Sequence, residues 1–303
     1  MALLPEMRSW RRPGAHLVGA EDPGPGIAEA YRVLGLSLPL MSSDQTNRVI
    51  AVTGSAGGEG ATTVLANLAV FFARSGWRVV AVSADWRRPR LHQFFGIENQ
   101  TGLTSLFSGQ AALADILVPV AGEPRLRVIP SGPPAAKPAE ALSLDGMRSL
   151  CGVLRDNADM VLIDSPPVLP VADALLLSPL VDGIVLVAAA GTTSRRDLRR
   201  AHDTLDLVHA PVLGTVLNRV PARGRRAHAY RCELSPGPGI APPEPPETAS
   251  SRPADSGAVP TASSGCAVDL RAPNLPAAAT IRADSHLLVD YSDEFRPSQV
   301  RAR

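Results

Sequence analysis

An α/β fold, with a mainly parallel sheet and helices on both of its faces, is the class this sequence predicts. Three observations lead there. Short apolar runs alternate with longer helical stretches from residue 48 to residue 217, a glycine-rich loop joins one such run to a helix, and two further runs end on aspartates. Alternating strands and helices bury a parallel sheet from both sides.

The elements follow in order. Glu29–Leu38 has helical character and is expected to end at Pro39, which cannot continue a helix. Arg48–Thr53 reads as a buried strand. Thr62–Arg74 reads as a helix, because Leu65, Leu68, Ala69 and Phe72 fall on one face. Arg78–Ser83, Leu126–Ile129, Met160–Asp164, Gly183–Ala188 and Val212–Leu217 read as further strands, with helices over Ala139–Asn157 and Arg195–His209. Residues 1–26, rich in Pro, Gly and Arg, read as a flexible lead-in, and residues 27–222 as one nucleotide-binding domain. Residues 223–303 read as a disordered tail: 11 of the 29 prolines lie beyond residue 230, and too little apolar surface is present to offset chain entropy.

Bulk composition narrows the function classes. A net charge of +1 gives no general attraction to nucleic acid or to anionic membrane. Three scattered cysteines suggest neither a disulfide framework nor a metal site, and point to a reducing compartment. No apolar run approaches the ~20 residues of a spanning helix, and the N-terminal arginines follow rather than precede the apolar start, unlike a signal peptide. The expected location is cytoplasmic, with any membrane role exerted through a partner.

The loop Gly54-Ser-Ala-Gly-Gly-Glu-Gly-Ala-Thr-Thr63 has the strand–loop–helix setting of a P-loop, which makes the fold P-loop NTPase-like. Gly57, Gly58 and Gly60 allow backbone N–H groups to converge on phosphate oxygens, and the helix N-terminus adds its dipole. Glu59, Ala61 and Thr63 complete the candidate phosphate cradle. Thr62 falls where the hydroxyl of such a loop meets Mg²⁺. The lysine that usually precedes this threonine is Ala61, and the chain's single lysine is the distant Lys137. Losing one oriented charge-stabilising donor is expected to cost roughly 10²–10³ in turnover. Taken alone, the loop is also readable as a tight glycine turn that binds nothing.

Asp85 and Asp164 each lie at or just past the C-terminal end of an apolar strand, the edge where open parallel sheets bind ligands. Singly, each aspartate is as readily a cap or turn residue. Together with the loop they form a candidate Mg²⁺-nucleotide site with Thr62.

Taken together, these segments resemble the bacterial tyrosine kinases, cytoplasmic P-loop proteins that control capsular and exopolysaccharide synthesis. The resemblance runs from Ala28 to Val220 and rests on EAYRVL (29–34), VIAVTGSAGGEGATT (49–63), ADWRRPRLHQFFG (84–96), TGLTSLFSG (101–109), PAEAL (138–142), VLIDSPPV (161–168), DALLLSPLVDG (173–183) and VLNRV (216–220). It implies ATP or ADP with Mg²⁺ as ligands, with Asp85 and Asp164 serving the metal and catalysis. It also implies that Arg87 supports the nucleotide or a subunit contact and that Asn218 lies near the adenine. A membrane-embedded polysaccharide chain-length regulator is implied as activating partner, recruiting the chain to the inner face of the membrane.

Four departures stand out. Ala61 replaces the lysine, and Ser83 replaces the first aspartate of an Asp-x-Asp element. The oligomerisation motif keeps Glu29 and Arg32 but ends in Gly35, which leaves self-association open. The C-terminal tyrosine cluster is absent, leaving Tyr230 as a candidate phosphosite or simply a tyrosine in a basic stretch. The resulting expectation is a degenerate, ATP-binding regulator with impaired phosphoryl transfer. Two alternatives stay open: an active autokinase or ATPase in which Arg87, Arg88 or a neighbouring subunit's arginine replaces the lysine charge, and a chromosome-partitioning or division-site ATPase. The last would use Arg195, Arg196, Arg199 and Arg200 on phosphates, although these also fit an ordinary solvated helix face, and no nucleic acid is expected.

Overall fold

Residues 2–6, 17, 25–41, 49–133 and 144–221 are described in the structure, a computed structural model. The tail, Tyr230, Lys137 and the PAEAL segment lie outside them. The strands are β1 (Ala2–Pro5), β2 (Val49–Gly54), β3 (Val79–Ser83), β4 (Val118–Val120), β5 (Glu123–Ile129), β6 (Met160–Asp164), β7 (Gly183–Ala189) and β8 (Val212–Val220). The helices are α1 (Pro25–Leu40), α2 (Ala61–Arg74), α3 (Leu91–Phe94), α4 (Leu103–Phe107), α5 (Leu113–Ile116), α6 (Leu144–Asn157), α7 (Asp173–Leu177) and α8 (Arg195–Leu207).

All eight strands form one sheet in the order β1-β8-β7-β2-β6-β3-β5-β4. Every pairing is parallel except β4 with β5. The central strands β2, β3, β6 and β7 are buried along their whole length, as their unbroken apolar runs require. Alternate residues feed two cores. Ile50, Val52, Val79 and Ala81 pack with α1 and α2 around Leu65, Leu68 and Phe72. Val49, Ala51, Val80 and Val82 pack on the other face with Met147, Leu150 and Leu154 of α6. Fully burying each such aliphatic side chain contributes about 1.5–3 kcal/mol.

Register brings the ligand edge together. Val52 stands opposite Asp164, and Ser83 stands opposite Asp164 on the other side. The phosphate loop, Asp85 and Asp164 therefore leave the sheet at one edge. The Ser-Pro-Pro segment after β6 extends this pairing: Ser165 N–H donates to Val52, Val168 N–H to Gly54, and the Thr53 hydroxyl to the Pro166 carbonyl at 2.7 Å.

Two expectations differ from the fold. Residues Ala2–Pro5, inside the expected lead-in, form an edge strand beside β8, with Leu4 buried in the core. Helix α1 runs through Pro39 to Leu40. A proline in the last turn forfeits one hydrogen bond at an end that frays in any case, so the helix tolerates it there.

Candidate nucleotide site

The phosphate loop is held from inside by one of its own side chains. Glu59 is 3% exposed; its Oε1 accepts from the hydroxyls of Ser55 and Thr193, and its Oε2 accepts the Ala56 N–H at 3.0 Å. Its backbone carbonyl accepts the Asn218 amide at 3.0 Å. One residue thus ties the loop to the turn after β7 and to β8. Glu59 and Asn218, read from the sequence as ligand-binding, are both engaged in framing the loop. Thr193 was not singled out in the sequence, because a threonine in a Gly-Thr-Thr-Ser turn carries no distinguishing pattern.

Gly60 caps α2 in the left-handed region, with φ of 93°. A Cβ on Gly60 would also overlap the Asn218 amide nitrogen. Gly60→Ala is expected to lower stability by about 1–3 kcal/mol, read as a reduced denaturation midpoint in urea.

Behind the loop, the Thr62 hydroxyl donates to Asp164 Oδ1 at 3.1 Å. The other carboxylate oxygen, Oδ2, is buried with no hydrogen-bond partner. Ser83 Oγ, one strand over, is buried and unpartnered as well. Burial pushes the Asp164 carboxyl up to about 8; the neighbouring Asp85 charge adds to the rise, and the Thr62 hydroxyl opposes it. Burial also raises Asp85, against backbone N–H groups of Arg88 and Arg87 that donate to its Oδ1 at 3.0 and 3.2 Å. An orphaned buried carboxylate oxygen beside a threonine hydroxyl and a second carboxylate is a donor set of hard oxygens, which fits Mg²⁺. Thr62, Asp164 and Asp85 would hold such an ion, directly or through water. The Asp-x-Asp element contributes one carboxylate rather than two, since Ser83 brings no charge.

Arg87, expected at the nucleotide or a subunit contact, lines the cleft over the loop with its guanidinium engaged within the fold. Its guanidinium pairs with the buried Asp173 at the start of α7, at 2.8 and 3.2 Å. Asp173 was invisible as a partner in the sequence because 86 residues separate the pair. Arg88 instead borders the loop: a Cβ on Gly57 would lie 3.7 Å from its Nη1. A cleft of about 1580 Å³ opens over these residues, lined by Gly54, loop residues 56–63, Asp85, Arg87, Arg88 and Asn218 among others.

On α1, Glu29 and Arg32 bind each other side by side at 2.7 and 2.8 Å. At Gly35, where the motif of the resembling family continues with arginine, any Cβ would overlap the Phe71 ring of α2. The motif's third position is thus closed by packing. The arginines of α8 lie on a solvated face with Asp197, and Arg200 approaches Asp197 at 4.0 Å. Among the described residues no helix is long and apolar enough to cross a membrane.

Comparison with known proteins agrees with this geometry. The CobQ/CobB/MinD/ParA nucleotide binding domain matches residues 50–237. Tyrosine-protein kinase YwqD of Bacillus subtilis is 34% identical over 203 residues, covering 67% of this chain and 85% of that protein. Tyrosine-protein kinase etk of Escherichia coli K12 is 28% identical over 228 residues, covering 75% of this chain but only 31% of that longer protein. The solved kinase domain of Escherichia coli tyrosine kinase ETK superposes with a TM-score of 0.69 at 27% identity, covering 74% of this chain and 91% of that one. With a phosphate loop and two strand-end aspartates at one sheet edge and these matches across the domain, the chain belongs to the bacterial tyrosine-protein kinase family, on a CobQ/CobB/MinD/ParA-type nucleotide-binding domain.

Proposed function

We propose that this protein binds Mg²⁺-ATP or Mg²⁺-ADP weakly and transfers phosphoryl groups to tyrosine slowly, acting mainly as a regulator of capsular or exopolysaccharide assembly. One observation carries the reading. The Thr62–Asp164 pair stands behind the glycine loop with a buried carboxylate oxygen still unpartnered, while Ala61 supplies no charge to the phosphates. The cradle and the metal-binding oxygens are retained; the cation that stabilises charge in transfer is missing from its usual place.

In this reading the loop N–H groups orient the phosphates and Glu59 keeps the loop in shape. Bound Mg²⁺ would neutralise phosphate charge. A membrane-embedded chain-length regulator recruits the domain to the inner membrane face, and the polysaccharide role rests on family membership.

Deleting the encoding gene and complementing it tests the regulatory role. The expected result is altered length or amount of surface polysaccharide, restored by the native chain and not by Asp164→Ala. Polysaccharide unchanged by deletion would contradict the reading.

A further inference from the structure

We infer that Arg88 is the cation that faces the nucleotide phosphates in this protein, in place of the lysine that the loop lacks. The inference rests on the proposed nucleotide binding and assigns the charge at that same site.

Two arginines follow Asp85, and the fold treats them differently. Arg87 spends its guanidinium on Asp173, with Nε and Nη2 both engaged. Arg88 forms no ion pair with any carboxylate among the described residues, and its side chain is exposed to the cleft. Its Nη1 reaches the phosphate loop at Gly57. Its backbone is pinned, because its N–H donates to Asp85 Oδ1 at 3.0 Å.

Arg88 is thus anchored to Asp85 through its backbone while its guanidinium stands beside the glycine loop. A planar guanidinium presents several N–H donors in a fork that matches phosphate oxygens. It approaches from the strand-β3 side of the loop, whereas a lysine at position 61 would approach from within the loop. Under the proposed function, that difference in approach predicts that ground-state phosphates are held while no charge follows the migrating group from inside the loop.

The test is calorimetric titration of Mg²⁺-ATP into the full native chain, Arg88→Ala, Arg88→Lys, Ala61→Lys, and the Ala61→Lys/Arg88→Ala double variant, at two salt concentrations. Arg88→Ala is expected to weaken binding by roughly tenfold to a hundredfold, as for one charge-assisted contact. It should also flatten the salt dependence, with Arg88→Lys intermediate. Adding Ala61→Lys to Arg88→Ala should recover most of the affinity, which a purely structural defect would not allow. Arg88→Ala binding within twofold of native, or a loss that the lysine does not repair, overturns the inference. If the native chain binds nothing while Ala61→Lys binds, the cradle is sound and Arg88 supplies no useful charge, which overturns the inference and leaves a nucleotide-binding cradle. If neither binds, nucleotide binding itself fails and the inference with it.

Discussion

Ala61→Lys is expected to raise phosphoryl transfer to tyrosine by roughly 10²–10³-fold over the native chain, the factor by which removing one oriented donor slows comparable chemistry. The site around position 61 is otherwise prepared. The residue opens α2 directly after Gly60, whose left-handed conformation sets the helix start. Thr62, the next residue, already contacts Asp164. Ala61 itself is only half-buried and lines the cleft, so a longer side chain has open space to enter. Phosphotyrosine formed per unit time, measured by mass spectrometry with and without Mg²⁺, reads the effect. A lysine variant no faster than the native chain, with nucleotide bound, would place the defect elsewhere, at Ser83 or in the substrate tyrosines.

Asp164→Asn is expected to have two opposite effects, loss of Mg²⁺-nucleotide binding and stabilisation of the ligand-free protein at alkaline pH. The folded carboxyl titrates at about 8, far above the usual carboxylate value of 3.8. Between those values the folded chain holds a proton that the unfolded chain has released, so stability falls as pH rises. The neutral form's contribution is fully present below about pH 4 and is lost as pH passes through about 8. Asparagine is neutral throughout and does not show this decline. Above pH 8 the variant should exceed the native protein by a few kcal/mol, or about 10 °C in melting temperature. Near pH 4 the two should melt together. Mg²⁺-ADP should raise the native melting temperature and leave the variant's unchanged. A stability difference independent of pH would contradict the burial of an ionisable carboxylate at this position.

The sequence made the central strands plain because parallel strands buried on both faces must be apolar throughout, and β2, β3, β6 and β7 are. It also placed the loop, Asp85 and Asp164 at one edge, since all three follow strands of one parallel sheet. Strands β1 and β4 were not legible. Each is only three or four residues long and contains a proline, so neither shows periodicity, and both sit at sheet edges where proline is tolerated. The roles of neighbouring arginines were equally hidden: Arg87 and Arg88 are chemically identical in the chain, and only the long-range contact with Asp173 separates them. Glu59 looked like one more residue of a phosphate loop. Its inward turn depends on Ser55, Thr193 and the neighbouring β8, which lie together only in the folded domain.

The three departures from the family motifs also differ in their surroundings. Gly35 is locked by Phe71, so regaining an arginine there requires the α1–α2 contact to move. Ala61 is half-buried, packs on the core beneath α2 and lines the cleft on its other side. Ser83 is fully buried and unpartnered, and an aspartate there would bring a second charge beside an Asp164 that already resists ionisation. Of the three, only the loop position borders the cleft.

The most direct measurement is calorimetric titration of Mg²⁺-ADP into the native chain and into Asp164→Ala. Saturable, Mg²⁺-dependent binding to the native chain, abolished in the variant, is the expected result. Binding that is unaffected by Asp164→Ala, or no binding by either the native chain or Ala61→Lys, would contradict a retained metal-nucleotide cradle at this sheet edge.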